Sequence, residues 1–420
     1  MKVLYFIPKT KGGNLPFFTK EFFDRIAGMA EAHVMTPRNG DAPQTGSSAV
    51  VHRLSAYRMM IGRNKKRFSR IVGEVGPDII HIIGSWDITA YYIYRWAETY
   101  RIPVVLSPLK GLAPWNVLRS YWLRRLPQLL LYQKSLLSGT HGVHAVGRQE
   151  QSFILDAALH PSLHPRKPWN SRIAVIEDPV LTDAIDVAGA AAAMMRLYAK
   201  VLDSNPFMRM TEEEVTAESA LLRVGMSQDS ISADIPRETR QRLMQMSDAA
   251  WRRILLHATD EGIADMVTRG ALAMQLKRKS IVIESTGRFE NTRHSDKRRP
   301  ADIPATAKGR KAERLAGRYG GDDAAVRICK MIVNVAQMMK SGTLSRRHLA
   351  DLYAAVRFGN CNERALRLML RRLRMSKTAA RLMQIMGETL WLEPGFMPLE
   401  PLDDKGTDDI RKTLFNLKIQ

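Results

Sequence analysis

The sequence predicts an α/β domain with a parallel sheet, followed by a mostly α-helical part. Over residues 1–180, short β-branched runs alternate with longer amphipathic stretches, which is the pattern of βαβ units. From about Asp183 the apolar residues follow helical spacing, in stretches rich in Ala, Leu, Met and Arg. Residues 1–180 hold 20 of the 30 aromatic residues, and residues 181–420 hold 17 of the 22 methionines. The two parts therefore have cores of different composition.

The elements of the first part follow from this alternation. A run such as Ile79–Ile83, which is preceded by Gly-Pro-Asp and followed by Gly84, is bounded by turn residues and is predicted to be a strand. The predicted strands are Lys2–Ile7, Ala32–Thr36, Val50–Leu54, Ile79–Ile83, Val104–Ser107, Gly142–Ala145 and Ile173–Glu177. The predicted helices are Phe17–Met29, Arg63–Val75, Ile88–Tyr100, Trp115–Ser138 and Arg148–Ala157.

The second part is predicted to be helical with one strand-like run, Ser280–Glu284. Ser345 is a suitable N-cap, and Gly342 and Gly359 stand where C-terminal caps belong. The predicted helices are Asp183–Leu202, Thr211–Val224, Glu238–Gln275, Ala324–Met339, Ser345–Val356, Glu363–Met375 and Lys377–Met386.

These patterns predict four regions along the chain. The sheet domain covers residues 1–182 and a helical region covers 183–276. Residues 277–320 are polar and strongly basic, which is the composition of a flexible linker. Residues 321–420 form a second helical region with an extended, proline-containing tail.

Composition excludes several classes of protein. With 45% hydrophobic and 25% charged residues, the 420-residue chain is not disordered, collagenous or disulfide-rich. Two cysteines, Cys329 and Cys361, fit a reducing compartment and are too few for a zinc cluster. The N-terminal residues lack a signal core, and no apolar run is long enough to cross a bilayer, so we expect a cytoplasmic protein. A net charge of +22 favours an anionic partner: nucleic acid, an anionic membrane or a phosphorylated substrate.

A glycine pair follows the first predicted strand. Lys11, Gly12 and Gly13 lie between that strand and the next predicted helix, where the backbone must turn tightly and can present N–H groups to an anion. Such a loop suits a diphosphate, although an ordinary turn has the same residues.

Three further motifs occur in a fixed order along the first part. They are Pro77–His81, which reads P-D-I-I-H, then Ile102–Trp115, with I-P-V-V-L-S-P at its start, and Ile173–Val180, which reads I-A-V-I-E-D-P-V. Over about residues 1–182 this series resembles the N-terminal domain of family 4 glycosyltransferases, which have the GT-B fold. The resemblance implies a Rossmann-like domain that receives the acceptor, with the Gly12-Gly13 loop facing the diphosphate of a nucleotide-sugar donor. It implies no other cofactor and no metal.

The resemblance also implies candidate substrate contacts, each of which has an ordinary structural explanation. His81 lies towards the end of a buried strand and is either a substrate contact or a hydrogen-bonded core residue. Lys110 would bind phosphate as a point charge or lie solvated in a loop. Trp86 would stack on a sugar ring, and the neighbouring Asp87 would accept a hydrogen bond from a sugar hydroxyl. The alternative is that Trp86 belongs to the core. Two further candidates carried over from the family motifs are Ser107 and Glu177.

The chain departs from the family pattern at several positions. Ile83 stands where a second histidine is common, and Leu109 and Lys110 replace a histidine and a glycine. Glu177 and Asp178 replace the second and third residues of I-P-N-P-V. Residues 181–420 contain no two glutamates eight positions apart, the signature of the nucleotide-sugar domain.

We therefore expect a protein of cell-surface polysaccharide or glycoconjugate assembly that is degenerate or depends on a partner glycosyltransferase. The alternative is an active glycosyltransferase with an atypical donor site between the sheet and helical domains. In either case the acceptor would be a glycan or a lipid-linked glycan.

Two basic regions indicate further partners. Residues 115–134 place Trp122 beside Arg124 and Arg125, so this helix would lie on an anionic membrane or pack on the helical part. Clusters at Arg346–His348 and Arg371–Arg374 fit a helix-turn-helix protein or solvated helix faces. A basic nucleic-acid-associated protein is thus a second alternative, which the scarcity of aromatic residues there disfavours. His257 is expected at the surface.

Overall fold

The computed structural model describes residues 1–8, 17–38, 49–55, 61–118, 121–155, 170–179, 185–227, 235–276, 287–289 and 307–415. The chain divides into two compact units. Unit 1 consists of Met1–Arg209 with Glu284–Glu290, and unit 2 consists of Met210–Ile283 with Asn291–Gln420.

Unit 1 is built on one sheet of seven parallel strands in the order β3-β2-β1-β4-β5-β6-β7. The strands are β1 Lys2–Phe6, β2 Glu31–Pro37, β3 Val50–Leu54, β4 Ile79–Ile83, β5 Val104–Ser107, β6 Gly142–Ala145 and β7 Ile173–Val175. All five residues of β4 are buried, as expected for a parallel strand with helices on both faces of its sheet. The predicted α/β fold with a parallel sheet and a helical part is confirmed.

Two apolar layers cover the sheet. Successive residues of each strand point to opposite faces, so Leu4 packs with one layer and Tyr5 with the other. The helices of unit 1 are α1 Lys20–Ala27, α2 Ile61–Val75, α3 Ile88–Thr99, α4 Pro114–Leu118, α5 Leu126–Gln128, α6 Lys134–Gly139, α7 Arg148–Leu155 and α8 Val187–Asp203. Side chains of α1 and α8 fill one layer, and side chains of α2, α3, α6 and α7 contribute to the other.

The chain is helical over most of the predicted helix Trp115–Ser138, but it is not one regular α-helix. Two π-helical turns, Tyr121–Arg125 and Leu129–Gln133, alternate there with the short helices α4, α5 and α6. Pro127 lies between the two turns, and a proline removes one backbone donor and clashes with the carbonyl four residues before it. Widened turns around the proline avoid that clash.

Unit 2 is helical wherever the structure describes regular structure in it. Its helices are α9 Glu212–Met226, α10 Arg237–Gln245, α11 Asp248–Glu261, α12 Ala264–Ala273, α13 Ala307–Tyr319, α14 Asp323–Ser341, α15 Arg346–Phe358, α16 Glu363–Arg372, α17 Ser376–Leu390 and α18 Lys405–Phe415. Between α17 and α18 the chain is irregular apart from one 3₁₀ turn, Pro394–Phe396. No helix in the described residues is long and apolar enough to span a membrane.

Two predictions for unit 2 need correction. The helix predicted at Glu238–Gln275 is three helices, because Ser247 caps α11 through Ala250 N–H and Gly262 ends it in the left-handed conformation at φ 72°. The predicted linker 277–320 contains α13, whose small residues Ala312 and Ala316 are buried. Helices that bury only small residues have a weak apolar pattern, which explains the error. The strand-like run Ser280–Glu284 lies outside the described residues.

Candidate functional site

The candidate site is the carboxyl edge of the sheet in unit 1. The connections from β1 and from β4 run in opposite directions along the sheet, and ligands of open α/β sheets bind at such a switch point. The structure describes the loops after β4 and β5, which lie at this edge. Lys11, Gly12 and Gly13, which follow β1, lie outside the described residues.

The loops after β4 and β5 hold unusual backbone conformations. Trp86, Leu109 and Lys110 have positive φ values of 63°, 51° and 59°, and Gly84 has 93°. A non-glycine residue in this region costs free energy, and such strain concentrates where a loop geometry serves a function. The surrounding contacts must therefore enforce the shape of both loops.

One of these contacts is the close approach of Gly111 to Ser85. A Cβ atom at Gly111 would lie 1.8 Å from Ser85 Oγ and 2.9 Å from the carbonyl oxygen of Pro108, so only glycine fits. The indole Nε1 of Trp86 donates to the Gly111 carbonyl at 2.6 Å. The two loops are thus locked to one another.

Trp86 and Asp87 both stabilise the fold. The Trp86 ring is buried, and the guanidinium of Arg125 lies 4.7 Å from its centroid. Arg125 is itself held by Asn116, whose Oδ1 accepts from Nη2 at 3.0 Å. Asp87 is the N-cap of α3 and accepts from Thr89 N–H at 2.8 Å. Of the two explanations for Trp86, the core explanation matches this placement.

His81 and Ser107 lie in a fully buried polar network with His144. Burial holds the pKa of His81 well below its usual range, helped by the nearby His144, and lowers the pKa of His144 to about 4. Both rings are therefore neutral and carry one N–H each. Because the carbonyl of Ile176 can only accept, Nε2 of His144 donates to it at 3.1 Å. Nδ1 of His144 then accepts from the Ser107 hydroxyl at 2.8 Å, and Ser107 accepts from His81 Nε2 at 2.7 Å.

The other ring nitrogen of His81 connects the sheet to α8. Its Nδ1 lies 2.6 Å from the hydroxyl oxygen of Tyr198, which in turn lies 3.1 Å from that of Tyr5. Burial raises the pKa of both tyrosines. With both nitrogens of His81 bonded inside the protein, the core explanation for this histidine matches the structure as well.

Glu150, near the start of α7, is a site residue that the sequence analysis missed. Its carboxylate is buried and accepts from Lys110 N–H at 2.5 Å and from Val146 N–H at 2.9 Å. Burial raises the pKa of Glu150, and the two N–H groups and the Lys110 charge oppose that rise. It thus joins the loops after β5 and β6. A glutamate in the first turn of a helix usually interacts with the helix dipole at the surface, so the sequence carries no signal of this role.

Polar residues that follow β4, β5 and β7 are accessible at this edge. The side chain of Lys110 is exposed, and Ser85 and Glu177 are half-buried. These side chains, and not the buried histidines, are available to a ligand. Within the residues that the structure describes, no group of three or more histidine, cysteine, aspartate or glutamate side chains could hold a metal ion.

Unit 2 contains a second buried polar cluster, centred on Glu218. Its carboxylate contacts His257 Nδ1 at 2.9 and 3.0 Å and forms an ion pair with Arg346 Nη1. The Arg346 N–H donates to Glu261 Oε2 at 2.7 Å. The prediction that His257 lies at the surface is wrong, because its side chain is buried. Arg346 and His348 are also buried and therefore cannot contact nucleic acid.

Comparison with protein-family models, with curated proteins and with solved structures found no match to this chain. The resemblance to family 4 glycosyltransferases therefore rests on the sequence motifs, and the activity that it implies is a proposal.

Proposed function

We propose that the chain is a family-4-glycosyltransferase-like protein of cell-surface polysaccharide or glycoconjugate assembly. In this proposal it binds a glycan or lipid-linked acceptor at the carboxyl edge of the unit 1 sheet, and a partner enzyme carries out the transfer. The supporting observation is the edge itself, where loops held in strained conformations by Glu150 and Gly111 surround the accessible Ser85, Lys110 and Glu177. Rigid loops of this kind fix polar groups for recognition.

Dependence on a partner is supported by the polar groups of the edge. His81 and Ser107 are neutral and bonded to one another inside the core, which leaves neither as a base for an acceptor hydroxyl. The described part of unit 2 contains helices and no strand that would build a second nucleotide-binding sheet. A nucleotide sugar needs an organised ribose and diphosphate site before its glycosidic bond is polarised.

Calorimetry with the full chain tests this proposal. We expect a short-chain prenyl pyrophosphate disaccharide, used as a soluble acceptor probe, to bind, and UDP, GDP, ADP and their sugars to give no heat at millimolar concentration. Nucleotide-sugar binding that disappears in Gly13→Val would instead support an active enzyme with an atypical donor site. Binding of neither class would refute the proposal.

A pair of glycine variants tests whether the acceptor binds at the edge. Gly111→Ala should abolish probe binding, because the added Cβ would collide with Ser85 Oγ. Gly73→Ala in α2 is the matched control, since its Cβ would meet no atom within 4 Å. Lys110→Gln should weaken binding by removing the exposed positive charge alone. If all three variants and the natural chain bound the probe equally well, the acceptor would have to bind somewhere other than this edge.

Peripheral contact with a membrane forms part of the proposal. Between residues 114 and 134, six large apolar side chains are exposed, among them Leu123 at 92% and Leu131 at 75%. The complete set is Trp115, Leu118, Trp122, Leu123, Leu130 and Leu131. We call these six side chains the apolar patch. So many exposed large apolar side chains in one short stretch of chain are typical of an interaction surface, and the exposed Arg124 and Lys134 in the same stretch favour anionic lipids.

Sedimentation with vesicles containing anionic phospholipid tests the membrane contact. Replacing Trp122, Leu123, Leu130 and Leu131 by serine should reduce the bound fraction at least tenfold. Leu272→Ser is the control, because Leu272 is 72% exposed in α12, outside the patch. Arg124→Glu should weaken binding without unfolding, whereas Arg125→Glu should destabilise unit 1, since Arg125 lies on Trp86. Unchanged sedimentation of the serine variant would refute a membrane role for the patch.

A further inference from the structure

Two adjacent helices of unit 2, α13 and α16, carry an array of exposed cationic side chains. Eleven lysine and arginine residues on these helices, and in the turn and first residues after α16, are exposed. They are Lys308, Arg310, Lys311, Arg314, Arg318, Arg364, Arg367, Arg371, Arg372, Arg374 and Lys377. We call this set the arginine face. Its two acidic neighbours on the same helices, Glu313 and Glu363, form ion pairs with Lys330 and Arg367.

The burial pattern places the cations of each helix in a row. On α13, Ala312 and Ala316 are buried, so Arg314 and Arg318 lie on the opposite side of the helix. On α16, the buried side chains are Ala365, Leu366, Met369 and Leu370, and the exposed ones include Arg364, Arg367, Arg371 and Arg374. Residues four positions apart on a helix are separated by about 6 Å along its axis.

Direct contacts hold the two rows next to each other. Arg372 Nε donates to the hydroxyl of Tyr319 at 3.0 Å, which joins the ends of the two helices. At the start of α16, Asn362 Nδ2 donates to the Gly320 carbonyl at 3.1 Å, and Asn362 N–H donates to Asp322 Oδ2 at 2.8 Å. The two rows of the arginine face therefore lie on neighbouring helices of unit 2.

Several charges of this face have no ion-pair partner among the described residues. Among the residues that the structure describes, no carboxylate lies within ion-pair distance of Arg314, Arg364 or Arg371. Like charges three or four residues apart on a helix repel one another and lower its stability. An array that opposes folding in this way indicates a partner that supplies the missing negative charge.

We propose that the arginine face binds the phosphate backbone of nucleic acid, without reading its base sequence. Eight of the eleven cations are arginines, whose planar guanidinium donates two parallel hydrogen bonds to a phosphate. A duplex presents one phosphate per 3.4 Å along each strand, so each row meets several phosphates at once. An acidic glycan with one carboxylate per repeat unit does not supply this charge density.

The arginine face also differs in its side chains from a surface that binds a membrane. Neither α13 nor α16 exposes a large apolar side chain, whereas the apolar patch of unit 1 exposes six. Insertion into the headgroup region depends on buried apolar area as well as on charge. The two surfaces thus differ in chemistry, and the nucleic-acid proposal is independent of the acceptor site in unit 1.

Fluorescence anisotropy with a labelled 20-base-pair duplex tests the proposal. The full chain should bind at 50 mM salt, and binding should weaken steeply at 200 mM as counterions are released. The variant with Arg314, Arg318, Arg371 and Arg374 changed to glutamate should bind at least tenfold more weakly. The magnitude of its slope of log K against log salt should fall by about 3 to 4, because each of the four lost phosphate contacts contributes about 0.9 to the slope.

A matched control separates the face from the overall positive charge. Arg63, Lys65, Lys66 and Arg70 are exposed on α2, and changing all four to glutamate alters the net charge equally. We expect this control to lose less than threefold in affinity. Equal loss in the two variants would overturn the proposal, provided that circular dichroism shows both folded. If the glutamate variant of the face lost more affinity for anionic vesicles or polygalacturonate than for the duplex, the proposal would also be overturned.

Discussion

The buried polar clusters of the two units, centred on His81 and on Glu218, differ in charge. The cluster of unit 1 is neutral, with His81, Ser107 and His144 linked in a chain that ends on a backbone carbonyl. The cluster of unit 2 contains an ion pair, with Glu218 paired to Arg346 and bonded to His257. A neutral network is stable only while its histidines stay unprotonated, whereas a buried ion pair is stable only while both partners are present. The same degree of burial therefore makes unit 1 sensitive to acid and unit 2 sensitive to the loss of one side chain.

The largest effect is expected from breaking the charged cluster. Arg346→Met leaves the carboxylate of Glu218 buried without its cationic partner, which should cost unit 2 about 3–5 kcal/mol of stability. Denaturant unfolding, followed by hydrogen exchange of amides in α9 and α15, measures this loss. A cost below about 1 kcal/mol, the range of surface ion pairs, would contradict it.

The double variant Glu218→Gln with Arg346→Met is the control. It removes both charges and keeps an acceptor for His257. Since replacing both members of a buried pair is far less costly than removing one, we expect it to recover more than half of the loss.

An intermediate effect is expected from acid. The pKa of His144 in the folded chain is about 4, below its usual 6.5, so the unfolded chain binds more protons between these values. Stability is therefore complete above pH 6.5 and is lost as the pH falls towards 4. For His144 alone the loss between pH 7 and pH 5 should be about 2 kcal/mol.

Hydrogen exchange resolved by peptide separates the two units in this experiment. Amides of β4, β5 and β6 should lose protection between pH 7 and pH 5, after correction for the intrinsic rate, more than amides of α9. His144→Gln should flatten the pH dependence of the sheet, because glutamine does not titrate in this range. The same loss of protection in both units would contradict the distinction between a neutral and a charged interior.

The smallest effect is expected from relieving backbone strain. The strained residue lies at the edge of the sheet in unit 1 and after a helix in unit 2. Lys110 in unit 1 has φ 59° at the edge of the sheet, and Arg374 in unit 2 has φ 56° after α16. Glycine at either position should stabilise its unit by about 0.5–1 kcal/mol, because the relief of strain exceeds the added entropy of the unfolded chain. Thermal unfolding measures both gains. A loss of stability in Lys110→Gly alone would mean that the lysine side chain contributes to the fold of the edge.

The sequence by itself determined the fold class and the location of the edge. Alternation of β-branched runs with amphipathic stretches requires a parallel sheet, and the turn residues after Ile83 and Ser107 mark where its strands end. Helix caps at Ser345 and Gly342 were likewise predictable, because capping depends on residues within one turn of each other. Local preference and local periodicity are sufficient for features of this kind.

Tertiary structure decided which polar groups face a ligand and which face one another. His81 contacts Tyr198 across 117 residues, Lys110 contacts Glu150 across 40, and Glu218 contacts Arg346 across 128. No spacing rule links such pairs, because their distance depends on how sheet and helices pack. Burial likewise made Trp86 a core residue and Arg346 an internal cation, although the side chains alone were equally suited to a binding surface. Whether a polar side chain is satisfied inside the protein is a property of packing, and only the folded chain determines it.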